Sequence, residues 1–163
     1  MLRRFAFAAL LSAVVTSPAL AKGPPWISIE LPANPWDAST RGAFLVVHAY
    51  HHGTAVAAAM TGTATGMVKG QRRTVQLSFE QTSRPGVFAL KNQWGNEGRW
   101  VLVLTADQGG THGMDAAEAM VEIAEGGVVT AVKVPTRQER EGAFPRKVTT
   151  AEIEAALAGA PHR

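Results

Sequence analysis

Hydrophobic and polar residues alternate over short segments along most of the chain, and Gly, Pro and Asn stand between the segments. Because successive side chains of a strand point to opposite faces, this period of two predicts strands with one buried and one solvated face. Strands of this kind are predicted over residues 26–31, 72–81 and 128–134. A near-continuous apolar run predicts a central strand over 43–50, and a strongly β-prone run predicts one over 99–106. Two further strands are predicted after turns, one over 87–92 and one that begins at 56–60. Short strands with turn residues between them are typical of an all-β sandwich.

The segment 61–70 departs from this simple pattern because it contains three glycines, at positions 62, 66 and 70. Glycine weakens a strand interior and often marks a bulge, so the sequence predicts an irregular or bulged strand here. A phosphate-binding loop is not indicated, since no Gly-Lys-Ser/Thr sequence ends the segment and no helix is expected after it.

Residues 115–125 fit two different structures. Asp115 and Glu118 have the spacing of a capping box, which would begin a helix running to residue 125. Alternation through 121–123, followed by Gly126-Gly127 and a β-branched segment, instead favours a β-hairpin. We prefer the hairpin, with a helical turn over 115–119 at its start.

The last part of the chain, 135–163, is predicted to be a charged tail with a short helix. Residues 135–147 are expected to run over the surface, and Thr150 is expected to N-cap the helix, which Gly159 ends. One face of this helix would carry three apolar side chains, namely Ile153, Ala156 and Leu157. The predicted architecture is therefore an Ig-like antiparallel β-sandwich of seven to nine short strands, over 22–134, followed by this tail.

The N-terminus has the features of a secretory signal peptide. Arg3 and Arg4 precede an apolar segment over 5–15, and Ala19-Leu20-Ala21 supplies small residues for cleavage. We expect residues 1–21 to be removed and the mature protein to be exported. No later segment has the roughly 20 apolar residues that a transmembrane helix needs.

Charge and composition exclude several classes of protein. With 46% hydrophobic and 18% charged residues, the chain is expected to fold as an ordinary globular domain. Removing the leader lowers Lys plus Arg from 16 to 14, against 13 Asp plus Glu, and the remaining net charge of +1 does not favour nucleic acid as a partner. The absence of cysteine excludes disulfides, thiol catalysis and thiolate metal sites.

Three motifs stand in order within residues 43–106. They are VAAAM at 56–60, PGVF at 85–88 and GRW at 98–100. This order resembles that of the YtkA-like and FixH-like exported domains and, more loosely, of the carboxypeptidase-regulatory-like and transthyretin-like β-sandwiches. The resemblance implies an Ig-like sandwich located in the periplasm. The turn HHG at 51–53 departs from the acidic, Gly-containing turn that is usual there.

The candidate metal ligands are His51 and His52, with His112, Met114 and His48. Imidazole binds zinc and copper, and a thioether adds preference for reduced copper. In an extended strand His48 and His52 would share a face about 13 Å apart, so the turn residues together with the 107–115 loop form the better set. The alternative is that His48 is a half-buried, hydrogen-bonded strand residue and His51-His52 a solvated turn.

Enzymatic function is not indicated by the sequence. No serine lies in a Gly-x-Ser-x-Gly motif, and carboxylate pairs such as Glu118 with Glu122 fit a solvated face. We therefore expect a non-catalytic binding or accessory module whose partner is another cell-envelope protein, with no nucleic acid and no cofactor other than a copper or zinc ion.

Tryptophan residues suggest a third function, which is the stacking of carbohydrate on a sandwich face. Trp100 begins a core-like strand and is expected to be buried. Trp36 and Trp94 stand next to turns and are the two that we expect to be partly exposed.

Overall fold

The computed structural model describes residues 24–109, 116–140 and 142–159. In chain order the strands are β1 (Pro25–Glu30), β2 (Leu45–His51), β3 (Thr54–Ala55), β4 (Ala59–Val68), β5 (Gln71–Gln76), β6 (Glu80–Gln81), β7 (Val87–Leu90), β8 (Arg99–Asp107), β9 (Ala116–Ile123), β10 (Val129–Lys133), β11 (Thr136–Glu139) and β12 (Gly142–Pro145). A 3₁₀ turn covers Ala38–Thr40, and one helix, α1, covers Thr150–Ala158.

Two antiparallel sheets form a sandwich, which confirms the predicted all-β fold. Sheet A has the order β1-β2-β7-β6, with β3 paired to β2, and sheet B has the order β10-β9-β8-β4-β5. The core lies between their inner faces. Its largest fully buried side chains include Ile27 and Leu45 from sheet A and Leu102, Leu104 and Ile123 from sheet B.

The segment after residue 115 is a hairpin, as preferred from the sequence. The strand β9 pairs with β8 on one side and with β10 on the other. Residues 116–119, expected to form a helical turn, belong to β9, and Asp115 lies outside the described residues. Pairing on both sides satisfies the backbone of this segment, which overrides the local capping-box signal.

The expectation of an irregular strand over 61–70 is wrong. The strand β4 is ten residues long, and nine of its residues pair in register with β8. Its glycines make room for neighbouring side chains and backbone. A Cβ atom at Gly66 would lie 2.4 Å from ring atoms of Trp100, and one at Gly62 would lie 2.9 Å from the carbonyl oxygen of Val103.

The single strand predicted over 72–81 is divided between the two sheets. The strand β5 ends at Gln76 in sheet B, and β6 begins at Glu80 in sheet A. Between them the N–H of Leu77 donates to the carbonyl of Gly62. The side chain of Leu77 is buried in the core. The alternation of apolar and polar residues therefore continues through the crossing between the two sheets.

The tail is structured rather than merely running over the surface. Its charged part forms the β11–β12 hairpin, whose base is closed by a 3.0 Å hydrogen bond from the N–H of Arg146 to the carbonyl of Pro135. The helix α1 then packs against the outer face of sheet B. Ala156 and Leu157 of the helix bury against Val101 and Met120, which confirms the predicted apolar face.

Glu118 and Glu122, whose carboxylates were expected on a solvated face, make contacts that stabilise the fold. Glu118 accepts the N–H of Val148 at 2.7 Å, which fixes the chain that leads into α1. Glu122 is only 6% exposed and pairs with Lys133 at 2.7 Å. Both residues lie on the face of β9 that the tail covers, so this face is not solvated as the sequence suggested.

The leader predicted over 1–21 lies outside the described residues. Among the residues that are described, α1 is the one helix, and it is neither long enough nor apolar enough to cross a membrane.

Glu152 holds the start of α1. The N-cap is Thr149 rather than the expected Thr150, and Thr149 and Glu152 form a reciprocal capping box. The Glu152 carboxylate also accepts two hydrogen bonds from Arg146, at 2.7 and 2.9 Å. The bonds from Arg146, followed by that from the Thr149 N–H, lower the pKa of Glu152 to about 2.

This pKa predicts an acid-sensitive contribution to stability. A carboxyl with a lower pKa in the folded state stabilises the fold above its unfolded value of 4.5, and the contribution disappears as the pH falls towards about 2. The Glu152 side chain is 34% exposed, so we expect a loss of about 1–2 kcal/mol, below the full linkage value. Urea denaturation between pH 7 and pH 2.5 measures it.

The Glu152→Gln variant should lose this part of the pH dependence, whereas Glu125→Gln, a change at an exposed turn, should keep it. Equal pH dependence of the wild type and Glu152→Gln would contradict the prediction.

Candidate functional site

A loop that presents an exposed tryptophan follows β1, and we call residues 31–37 the indole loop. Trp36 is 92% exposed, which is unusual for the side chain with the largest apolar surface. Leu31, Pro32 and Pro35 are also exposed. Four of the seven residues in this loop are therefore apolar and in contact with solvent.

Hydrogen bonds hold the backbone of the indole loop on both sides of Trp36. The N–H of Asn34 donates to Glu30 at 2.9 Å, and the N–H of Trp36 donates to the Asn34 side chain at 3.0 Å. After the indole, Asp37 caps the 3₁₀ turn and pairs with Arg84. The exposed ring is thus carried by a loop tied to sheet A and to the turn before β7.

The outer face of sheet A begins directly beside this loop. On neighbouring strands Trp26 lies opposite Tyr50, and Ser28 lies opposite His48. The ring centroids of His48 and Tyr50 are 6.2 Å apart, with planes inclined by 11°. Aromatic and polar side chains therefore form a half-buried row that ends at Glu30.

Glu30 connects this row to the indole loop. One carboxylate oxygen accepts the Nε2–H of His48 at 2.9 Å, and the other accepts the N–H of Asn34. The bond from His48, followed by that from Asn34, lowers the pKa of Glu30 below its usual value. Glu30 therefore stays ionised in moderately acidic solution and keeps the loop attached.

The predicted metal ligands are only partly brought together. His48 is half-buried and bonded to Glu30 on the outer face of sheet A, and the structure does not join it to His51 and His52. His112 and Met114 lie outside the described residues.

His51 and His52 stand at the β2–β3 turn. His51 pairs with Thr54, and the turn residues His52 and Gly53 have φ values of 51° and 74°, as in a two-residue hairpin turn. The two rings are 4.2 Å apart between centroids and inclined by 21°. Imidazole lone pairs lie in the ring plane, so nearly parallel rings must rotate before both can bind one ion. Among the described residues, no group of three or more His, Cys, Asp or Glu could hold a metal.

The chain before residue 110 runs close to this turn. The Gln108 side chain donates to the carbonyl of Tyr50 at 2.8 Å, and Tyr50 directly precedes His51. Asp107 pairs with Ala116, so both described ends of the 110–115 segment leave from one end of sheet B.

The prediction for Trp94 is wrong, since this residue is only 6% exposed. The Asn92 side chain accepts the backbone N–H groups of Trp94 and Gly95, and the ring packs edge-on against Phe44 at 5.1 Å. The Asn92 turn signal was visible in the sequence, but the contact with Phe44 was not. Trp100 is 2% exposed, as expected. A platform made by Trp36 and Trp94 therefore does not form.

Two cavities that the sequence did not indicate open at the end of the sandwich where β4 turns into β5. One, of about 540 Å³, lies beside the Lys69–Glu97 ion pair, Arg99 and Leu157. The other, of about 200 Å³, lies beside Arg73 and Trp94. Their lining residues come from distant segments, so no local motif marks them.

Comparison with known proteins gives no match for this chain among family models, curated proteins or solved structures.

Proposed function

We propose that this protein is an exported, non-catalytic β-sandwich module that binds another protein of the cell envelope through its indole loop. The observation that carries the proposal is the 92% exposure of Trp36 on a loop held by hydrogen bonds on both sides. Tryptophan is enriched among the few interface residues that supply most of the binding energy. A loop ordered in advance loses less conformational entropy when a partner binds.

Charged groups lie at and next to the end of the indole loop, where the rim of such an interface would be. Asp37, the last residue of the loop, forms an ion pair with Arg84, and Arg41 is exposed just after the 3₁₀ turn. An apolar centre with a polar, hydrated rim is the usual arrangement of a protein–protein contact. A carbohydrate-stacking function has less support, because burial of Trp94 leaves Trp36 without the second ring expected from the sequence.

Sequence features support the cellular location. The leader over 1–21 favours export, and the resemblance to YtkA-like and FixH-like domains favours the periplasm as the destination. The near-neutral charge after removal of the leader disfavours nucleic acid as the partner.

Site-specific photo-cross-linking tests the proposed interface. With p-benzoylphenylalanine in place of Trp36, we expect one discrete adduct with an envelope protein when the chain is produced with its leader in its own host. The matched control places the same probe at Val128, which is 62% exposed in the β9–β10 turn, and should give no such adduct.

Loss of the ion pair in Asp37→Ala should weaken the adduct at position 36, because the loop is then held less firmly. Identical adducts at positions 36 and 128, or none at position 36, would refute the interface.

We propose metal binding at His51 and His52 as a second candidate. It is favoured by the Gln108–Tyr50 hydrogen bond, which brings the chain leading to residues 110–115 to the histidine turn. The sequence offers His112 and Met114 as further ligands for copper or zinc, and substitution is the way to test them.

Calorimetric titration with Cu(II), Cu(I) and Zn(II) examines this second candidate. We expect micromolar or tighter binding of one ion, and we expect His51→Ala and His112→Ala each to weaken it by at least about tenfold if they share the ion. His48→Gln serves as the control and should bind like the wild type, because His48 faces Glu30. Absence of heat with every ion, or independent and additive effects of the two substitutions, would rule out a shared site.

A further inference from the structure

An indole N–H is buried without an acceptor at the end of the sandwich. Trp94 is 6% exposed, and its Nε1 has no hydrogen-bond partner among the described residues. The other buried indole at this end, Trp100, donates to the carbonyl of Glu97 at 2.8 Å. Trp94 therefore keeps one unused donor in a buried position, which is costly unless water or a bound molecule supplies the acceptor.

A cavity of about 200 Å³ adjoins this indole. Since one water occupies about 30 Å³ of liquid, the space is larger than a single bridging water needs. Val68 and Trp100, both almost fully buried, form an apolar part of its wall. The cavity can thus take a small molecule that has one hydrogen-bond acceptor and an apolar portion.

Charge selects among such molecules. Arg73 lines the cavity, and within the described part of the chain its guanidinium makes no hydrogen bond or ion pair. Glu97 also lines the cavity, but Lys69 binds its carboxylate at 2.9 Å, and this hydrogen bond is the main cause of its lowered pKa. Arg73 also attracts Glu97 through space. Lys69, Arg73 and Glu97 together carry a net positive charge, which a negatively charged ligand can neutralise.

We propose that this cavity binds a small aliphatic carboxylate. One carboxylate oxygen accepts the Trp94 N–H, Arg73 neutralises the charge, and the aliphatic part lies against Val68 and Trp100. This site is separate from the indole loop and does not depend on the function proposed for that loop.

The indole N–H resonances of ¹⁵N-labelled protein test the proposal directly. Butyrate should move the Trp94 resonance in a saturable way. Butyramide keeps a carbonyl acceptor without the charge and should bind at least about tenfold more weakly, and butylamine should leave the resonance in place. The Trp94→Phe variant assigns the resonance and, because it removes the donor, should also weaken butyrate binding as measured by calorimetry.

Two adjacent arginines provide matched variants. Arg73→Met should weaken butyrate binding at least about tenfold, whereas Arg72→Met should bind like the wild type, because Arg72 points to the opposite face of β5 and pairs with Glu154. The proposal is overturned if butyrate gives no saturable shift at Trp94, if butylamine acts like butyrate, or if the two arginine variants bind equally. The first of these outcomes would mean that water alone satisfies the indole.

Discussion

Replacing Gly98 by alanine will lower the free energy of unfolding by more than about 3 kcal/mol, whereas the same change at Gly70 will lower it by about 1–2 kcal/mol. Both glycines have a φ of +77°, so alanine suffers the same left-handed strain at both positions. Around Gly70 there is no atom within 4 Å of an added Cβ. At Gly98 the added Cβ would lie 2.2 Å from the carbonyl oxygen of Met67.

The contact at Gly98 is with backbone and cannot be relieved by a side-chain rotation. Met67 and Arg99 are the last pair between β4 and β8, so a methyl group added at residue 98 must push these two strands of sheet B apart. Those strands carry much of the core, and close-packed interiors transmit such a shift.

Guanidinium denaturation followed by circular dichroism measures both variants against the wild type. Equal losses for Gly98→Ala and Gly70→Ala would show that the backbone approach at Gly98 is not as close as described. If Gly98→Ala does not fold in buffer alone, Gly98→Ala and Gly70→Ala are compared with the wild type in the presence of a stabilising osmolyte.

Truncation of Leu102 to alanine is expected to cost about 2–5 kcal/mol, the range found for leucines in closed cores. Leu102 is 0% exposed on the inner face of β8, where its neighbours come from both sheets. The adjacent Val103 points to the outer face and is only half-buried. Its truncation to alanine should cost about 1 kcal/mol or less, because solvent can fill the space.

The difference between these two neighbours tests which face of β8 is the core. Thermal and urea unfolding of both variants measure the two losses. The free energy of unfolding should depend on urea concentration as steeply in both variants as in the wild type. A larger loss at Val103 than at Leu102 would contradict the assignment of faces, since a shift of one residue in register exchanges the two sides of a strand.

The hydrophobic pattern and the turn residues were sufficient to predict most of sheet A and the strand β8 of sheet B, but not the regular course of β4. The predicted strands over 43–50, 87–92 and 99–106 agree with β2, β7 and β8 to within two residues at each end. In these segments the hydrophobic pattern of the sequence agrees with the burial that the sandwich imposes, so the local pattern is enough to locate the strand. The helix α1 was also foreseen, because its cap, its apolar face and the terminal glycine all lie within a few residues of one another.

Prediction failed where a distant partner decided the outcome. Glycines at 62 and 66 suggested an irregular strand, but the Trp100 ring and the backbone of β8 occupy the space beside them. The segment 72–81 kept its alternation while it crossed from one sheet to the other, since a side chain can be buried equally well from either sheet.

In the candidate sites, too, local features were predicted from the sequence and contacts between distant segments were not. The sequence identified an exposed Trp36 from the turn residues around it, and the histidines of the 51–53 turn from their spacing. It did not pair His48 with Glu30, which is 18 residues away, or place the indole of Trp94 against Phe44.

The sequence by itself therefore determined the fold class, the positions of strands such as β2, β7 and β8 and the residue types available for binding, because hydrophobic patterns and turn chemistry act over a few residues. The tertiary structure alone decided which side chains meet. It placed a buried indole donor beside an arginine, tied the indole loop to Glu30 and Arg84, and covered sheet B with the tail. Such contacts join segments far apart in the chain, and their free energy depends on burial and geometry that exist only once both sheets have packed.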